Sequence, residues 1–385
     1  MMRSARATAA LLVIASGVAE CGEEHPSRSW LRAAPTLPES SYAYSLGRAP
    51  LPRHFIFDVT GSAMREDNTP ADNPVTDAGA TLGRVLFYDT RLSANDRVSC
   101  ASCHQQAFGF ADTARFSRGV NGALTRRHTM ALANVRFYRP GRFFRDERSA
   151  TLEEQTLVPV QDSLEMGLSL EKLEGKLRSV RYYPPLFRAA YGAPDITADR
   201  VGRALAQFVR SLVSDRARID SVFRGGGPPN LALLSAQELE GRGLFIGQAG
   251  CTRCHRTNGL QLDHIDNIGL DAQDVDTGAG NGAFKAPSLR NVAIRPPYMH
   301  DGRFATLREV VDFYDHGIQD NVHLDRRLRA PDGTPLRLHL SPAQRDALVA
   351  YLGTFTDEAF LHDERFANPF ASSRPVLGAL AGTHR

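Results

Sequence analysis

The chain has 385 residues, 42% hydrophobic and 23% charged, with a formal net charge of +3. That length suits two domains or one large one, and the apolar share is enough for a sizeable core. So small a net charge gives no electrostatic case for nucleic acid or an anionic membrane as partner.

The first twenty residues read as an export signal. Arg3 and Arg6 precede an apolar run from Ala9 to Ala19 that is too short to span a bilayer. Cys21, directly after Val18-Ala19-Glu20, hints at a lipoprotein signal with lipid on the cysteine, although Glu20 stands where that signal wants a small residue. No other run has the length of a membrane-spanning helix. The mature chain is therefore expected in the periplasm, free or lipid-anchored. Residues 21–75 are rich in Pro, Ser and Arg and read as an irregular extension, and 371–385 as a loose tail.

Four of the five cysteines fall in two identical patterns, Cys100-Ala-Ser-Cys103-His104 and Cys251-Thr-Arg-Cys254-His255. C-x-x-C-H is the attachment sequence of haem c. Two thiols at this spacing can add to the two vinyl groups of one haem, and the next residue, His104 or His255, then lies under the iron as its proximal ligand. A disulfide would leave each histidine unexplained, and structural zinc normally joins two C-x-x-C units or one with H-x-x-x-H.

The surroundings of the motifs repeat as well. Gly83-Arg84-Val85-Leu86-Phe87 precedes the first and Gly241-Arg242-Gly243-Leu244-Phe245 the second. Downstream, Leu132-Ala133-Asn134-Val135 matches Leu289-Arg290-Asn291-Val292, and the stretch from Asp146 to Leu152 matches that from Asp301 to Leu307. Matched blocks in one order predict a mainly α chain of two related cytochrome c-like haem domains in tandem, over 76–215 and 216–370, with long irregular loops. Ala80, Leu82, Val85 and Leu86 keep helical spacing before the first motif, and Leu239, Gly243 and Phe245 before the second. Residues 196–212 predict an amphipathic helix linking the domains, and Ser341-Pro342-Ala343-Gln344 a capped helix start.

From about Asp77 to Phe370 these residues resemble the bacterial di-haem cytochrome c peroxidases and their relative MauG. The markers, beside the two haem motifs, are Leu92-Ser93, Arg127-His128-Thr129-Met130, Leu152-Glu153-Glu154-Gln155, Glu165-Met166-Gly167, Pro287 to Val292 and Pro297-Tyr298-Met299-His300-Asp301-Gly302. The resemblance implies a peroxidatic first haem and an electron-handling second one. It makes Gln155 and Glu165 the distal pair, the carboxylate shifting a peroxide proton and the amide orienting the ligand. It makes Asn134 a calcium ligand between the haems, with backbone carbonyls of Arg295 and Pro297. It also puts His128 in the region where some relatives hold a removable histidine over the first iron, although an ordinary polar or propionate contact fits the loop better.

Two departures matter. Tyr314 stands where classical members have the methionine ligand of the second haem, as in MauG-like members. Tyrosinate ligation would lower that haem's potential, and Met299 is the competing ligand. Arg145 stands where relatives usually have tryptophan between the haems, and the only tryptophan is Trp30. Arginine cannot carry an oxidising equivalent, but its charge can pair with a haem propionate.

The expected function is therefore reduction of hydrogen peroxide to water, with two covalent haems c, one calcium ion and electrons from a small periplasmic donor, a cytochrome c or a cupredoxin. The alternatives are MauG-like oxidation of a protein substrate through high-valent haem, motivated by Tyr314, and a non-catalytic electron carrier, which would leave Gln155 and Glu165 without work. Homodimerisation is implied by the resemblance only.

Overall fold

The structure, a computed structural model, describes residues 34–45, 51–56, 65–224, 228–260 and 263–370. The expected export signal, Cys21, Trp30 and the tail from residue 371 lie outside the described residues. The helices are α1 (Arg53–Ile56), α2 (Asp77–Tyr88), α3 (Cys100–Cys103), α4 (Leu152–Gln161), α5 (Leu170–Arg178), α6 (Tyr183–Tyr191), α7 (Ala198–Ser211), α8 (Arg218–Val222), α9 (Ala236–Ile246), α10 (Leu307–Asp312), α11 (Pro342–Gly353) and α12 (Glu358–Leu361). The only sheet among the described residues pairs β1 (Ile265–Asp266) antiparallel with β2 (Phe284–Lys285). The chain is mainly α, as expected.

Side-chain caps start most of the longer helices. Thr76, Thr151 and Thr197 accept backbone N–H groups at the heads of α2, α4 and α7. Ser235 with Glu238, Thr306 with Glu309 and Ser341 with Gln344 form reciprocal capping boxes at α9, α10 and α11. Each satisfies donors that a helix start otherwise leaves unpaired.

The sequence duplication becomes one packing unit used twice. In the first half α2 lies against α7, and in the second α9 lies against α11. Both crossings are set by the glycine that opens the repeated Gly-Arg block. A methyl group at Gly83 would overlap the Ala204 carbonyl oxygen, and one at Gly241 the Ala347 carbonyl oxygen. Only a residue without Cβ allows the backbones this close. Phe208 and Tyr351, each one turn further along, complete the two contacts.

Two expectations need correction. Leu239 and Gly243 are not on the buried face of α9. Leu239 is 37% exposed and Gly243 faces open space, while Gly241, Leu244 and Phe245 are buried. Eleven residues allow two apolar registers, and the packing glycine decides between them. The helix predicted at 196–212 exists as α7, but it does not link the domains. Val201, Leu205, Phe208 and Val209 are all buried in the first core.

The chain then returns. Phe360, Leu361 and Phe366 join the first core, with Phe360 5.7 Å from Phe110 and Phe366 6.4 Å from Phe208 between ring centroids. The described part of the extension is tied down beside them. Tyr44 is buried, its phenol donates to the Arg365 carbonyl at 2.8 Å, and Thr36 N–H donates to the Pro369 carbonyl at 2.8 Å.

Candidate active site

The first C-x-x-C-H run forms α3 and the second a 3₁₀ turn, Cys251–Arg253, and both close on the same hydrogen bond. His104 N–H donates to the Cys100 carbonyl at 2.9 Å, and His255 N–H to the Cys251 carbonyl at 2.9 Å. Each histidine lines one cavity together with its two cysteines. None of the four cysteines is in a disulfide. Burial pushes the thiols up, Cys103 to about 11 and Cys100, Cys251 and Cys254 to about 12. Burial also lowers both histidines, His255 to about 4, which keeps the imidazoles neutral as metal ligation requires. His104 Nδ1 lies 2.9 Å from the Phe110 carbonyl. Donation there fixes the tautomer and leaves Nε2 for a metal.

A cavity of ≈ 860 Å³ opens on His104, Cys100 and Cys103, and Gln155 and Glu165 line it too. The two distal candidates arrive from opposite ends of one structural unit. Gln155 is carried by α4, which an ion pair anchors to α7. Glu153 Oε1 meets Arg210 Nη1 at 2.5 Å and also accepts from Asn73 at 2.6 Å. Pro159, inside α4, has no N–H to offer the Gln155 carbonyl, and the helix ends two residues later. The chain turns so that Met166 N–H donates to the Pro159 carbonyl at 3.2 Å, while the Glu165 carbonyl accepts from Val120 N–H at 2.8 Å. Glu165 is thereby fixed at the cavity wall. Burial, then the nearby Asp162, pushes its carboxyl up to about 6.

A second cavity, ≈ 230 Å³, opens on Cys251, Cys254 and His255. Tyr314 lines it from a π-helical turn, Phe313–Gly317, that continues α10. Burial raises the Tyr314 phenol, and the Cys254 and Cys251 thiols, next in size, add to the rise. Met299 lines the same cavity and packs in the cluster that includes Tyr314.

His128, Arg145 and Lys285 line both cavities. His128 is 5% exposed, with Nδ1 3.1 Å from the Ala114 carbonyl, and burial lowers it to about 4. Burial holds Arg145 and Arg295 down to about 10, with Arg145 lowered further by Arg295, and Lys285 down to about 8. Arg127 bridges the halves, pairing with Asp146 at 2.6 Å and Asp276 at 2.7 Å. Sequence reasoning missed Lys285 altogether, and it named Arg295 only for its carbonyl. The one available signal for Lys285 was a lone charge between Phe284 and Ala286. Asn134 is 2% exposed, and its amide donates to the Ser214 carbonyl and accepts from Ser214 N–H, both at 2.9 Å. No cluster of three or more His, Cys, Asp or Glu side chains suited to a metal ion occurs among the described residues.

The family model for di-haem cytochrome c peroxidase matches residues 77–227, and that for cytochrome c matches 239–356. Methylamine utilization protein MauG of Methylorubrum extorquens is 35% identical over 301 residues, covering 75% of this chain and 81% of the relative. The chain belongs to the di-haem cytochrome c peroxidase and MauG family. Cytochrome c551 peroxidase of Nitrosomonas europaea is 32% identical over 252 residues, 60% of this chain and 71% of that protein. Among solved structures, a MauG-like protein associated with microbial copper homeostasis superposes with a TM-score of 0.70 at 29% identity, covering 86% of this chain and all of that one. The family makes the chain an oxidoreductase of the peroxidase type that carries two covalently bound haems c. No helix among the described residues is long and apolar enough to cross a membrane.

The residues fit haem. Each cavity presents two thiols and a neutral histidine, and both are bordered by cations. Arg145 Nε and Arg295 Nε are buried without a hydrogen-bond partner among the described residues. A buried guanidinium nitrogen of this kind calls for an anion, and haem brings two carboxylates.

Proposed function

We propose that the protein reduces hydrogen peroxide to water at the Cys100/Cys103/His104 half, with electrons entering through the Cys251/Cys254/His255 half. The observation that carries this reading is the convergence of Gln155 and Glu165 on the cavity of His104. When bound, haem would supply an iron to bind peroxide and a store of electrons. The chain supplies the rest. Glu165, ionised, takes the proton from the near peroxide oxygen and delivers it to the far one, so that water leaves. Gln155 donates its amide N–H to the oxygen on which charge develops. His104 is held in one tautomer by the Phe110 carbonyl. His255 and Tyr314 are the ligands proposed for the second iron. A small soluble redox protein, a cytochrome c or cupredoxin, fits the donor role, and the periplasm is the compartment the leader sequence suggests.

Replacing Glu165 with Gln tests the reading. Peroxide turnover should fall by about 10²- to 10⁴-fold, the usual worth of a positioned acid–base group, with haem content unchanged. Turnover within a few-fold of the wild type would overturn the assignment.

Tyr314 favours a second reading, MauG-like oxidation of a partner protein, because it lines the same cavity as His255. Arg145 speaks against it, since an arginine between the cavities cannot be oxidised.

A further inference from the structure

Tyr138 and Glu147 form a buried pair beside the partition between the two cavities. Tyr138 is 1% exposed and Glu147 7%, and the phenol donates its hydrogen to Glu147 Oε1. Lys285, which lines both cavities, holds Nζ 4.3 Å from the centre of the Tyr138 ring and donates to the Arg142 carbonyl at 3.0 Å. The peroxide chemistry proposed above has no use for this pair.

The duplication argues that the pair is there for a purpose. Glu147 has φ 55°, a left-handed conformation that a glutamate adopts at a cost. The matching position of the second half is Gly302, at φ 64°. Tyr138 directly follows the short 3₁₀ turn Val135–Phe137, and the residue directly following the matching turn, Val292–Ile294, is Arg295. So the tyrosine and the carboxylate both belong to the first half alone, and one of them replaces the easier glycine. A strained residue kept where the repeat shows glycine would do is a pointer to function.

The partition also lacks an oxidisable side chain at Arg145. A phenol loses an electron readily only if its proton leaves as well, and Glu147 is a hydrogen-bonded acceptor for that proton. We propose that Tyr138 is a one-electron relay between the haem halves. It gives an electron to the first haem after peroxide has oxidised it, and its O–H proton passes to Glu147, leaving a neutral tyrosyl radical and a protonated carboxyl. An electron arriving from the second half restores the phenolate, and Glu147 returns the proton. At rest, burial and the Glu147 carboxylate keep the phenol protonated.

This inference rests on the peroxide reading, so the experiment follows both. Holoprotein is mixed with one equivalent of hydrogen peroxide without donor and freeze-quenched. Peroxide consumed and organic radical formed are measured in the same samples, by assay and by electron paramagnetic resonance. Protein carrying ring-deuterated tyrosine should give a narrowed radical signal, and Tyr138→Phe should lose the signal while still consuming the first equivalent. Glu147→Gln, with the phenol intact, should form the radical about 100-fold more slowly, as for loss of a positioned proton acceptor. Should Tyr138→Phe fail to fold, the isotope-labelled wild type and Glu147→Gln carry the test. Peroxide consumption with no tyrosine radical, or with a radical indifferent to both substitutions, overturns the relay alone. No consumption overturns the peroxide reading and the relay together.

Discussion

Asn134 and Asn291 make the same pair of bonds in the two halves. Asn134 N–H donates to the Leu212 carbonyl and its Oδ1 accepts from Ser214 N–H, both at 2.9 Å. Asn291 N–H donates to the Phe355 carbonyl at 3.0 Å and its Oδ1 accepts from Asp357 N–H at 2.9 Å. Each asparagine therefore fastens the strand that leaves the last helix of its unit, α7 or α11. Both also sit at positive φ, 63° and 57°, which asparagine tolerates better than most residues. Asn134→Ala and Asn291→Ala should each lower the stability of the holoprotein by about 1–3 kcal/mol, since each leaves a buried N–H unpaired. Denaturant titration measures this, and equal stability of either variant with the wild type would refute the role.

The two glycines of α9 predict opposite signs. Gly241→Ala forces a methyl into the Ala347 carbonyl and should destabilise the fold by about 1–3 kcal/mol. Gly243→Ala meets open space and should stabilise it by about 0.5–1 kcal/mol through helix propensity. Thermal unfolding of the two variants side by side separates them.

Peroxide turnover should depend on pH through Glu165. Its carboxyl is raised from 4.5 to about 6, chiefly by burial and then by Asp162. The ionised form is the one that takes a proton, so kcat/KM should fall as pH drops through about 6, to about a tenth at pH 5. Asp162→Asn should move that limb to lower pH. The linkage to folding has the opposite sense. A raised carboxyl favours the native state below its unfolded value, and that contribution is lost as pH rises through 6, so Glu165→Gln should not be less stable than the wild type at pH 7. A pH-independent rate between 5 and 7 would remove Glu165 from the chemistry.

Arg145 borders both cavities, so its charge should be felt by both haems. A buried cation beside a metal centre stabilises the reduced, less positive state. Arg145→Leu should therefore shift both midpoint potentials downward in a spectroelectrochemical titration. A shift confined to one haem would assign the guanidinium to that haem only.

Tyr314→Met should raise the potential of the second haem and leave the first within experimental scatter, because a thioether favours reduced iron and a phenolate oxidised iron. The same titration reads it. An unmoved second potential would show that Tyr314 does not ligate.

What the sequence made legible was local: the two attachment runs and the Ser341-Pro342-Ala343-Gln344 helix start depend on spacings of a few residues, whereas Gln155 and Glu165 were singled out only through the family resemblance. Side chains brought together from distant segments were not legible. Lys285 meets Tyr138, and the Arg127 side chain meets Asp276, only once β2 and its loop fold against the first half. The face of α9 was misread because a short helix with Gly at two nearby positions offers two stripes, and only the α11 carbonyl distinguishes them. The hydrogen-bonding pattern that Asn134 shares with Asn291 was likewise not legible, because Leu212 and Ser214 lie far from it in sequence.

The return of Phe360, Leu361 and Phe366 to the first core has a consequence for biogenesis. A chain delivered from its amino end presents Cys100 and Cys103 long before the segment that seals their domain emerges. The earlier attachment turn is thus offered to the haem-attaching machinery while its own half is still missing a wall, and the half that starts first is completed last.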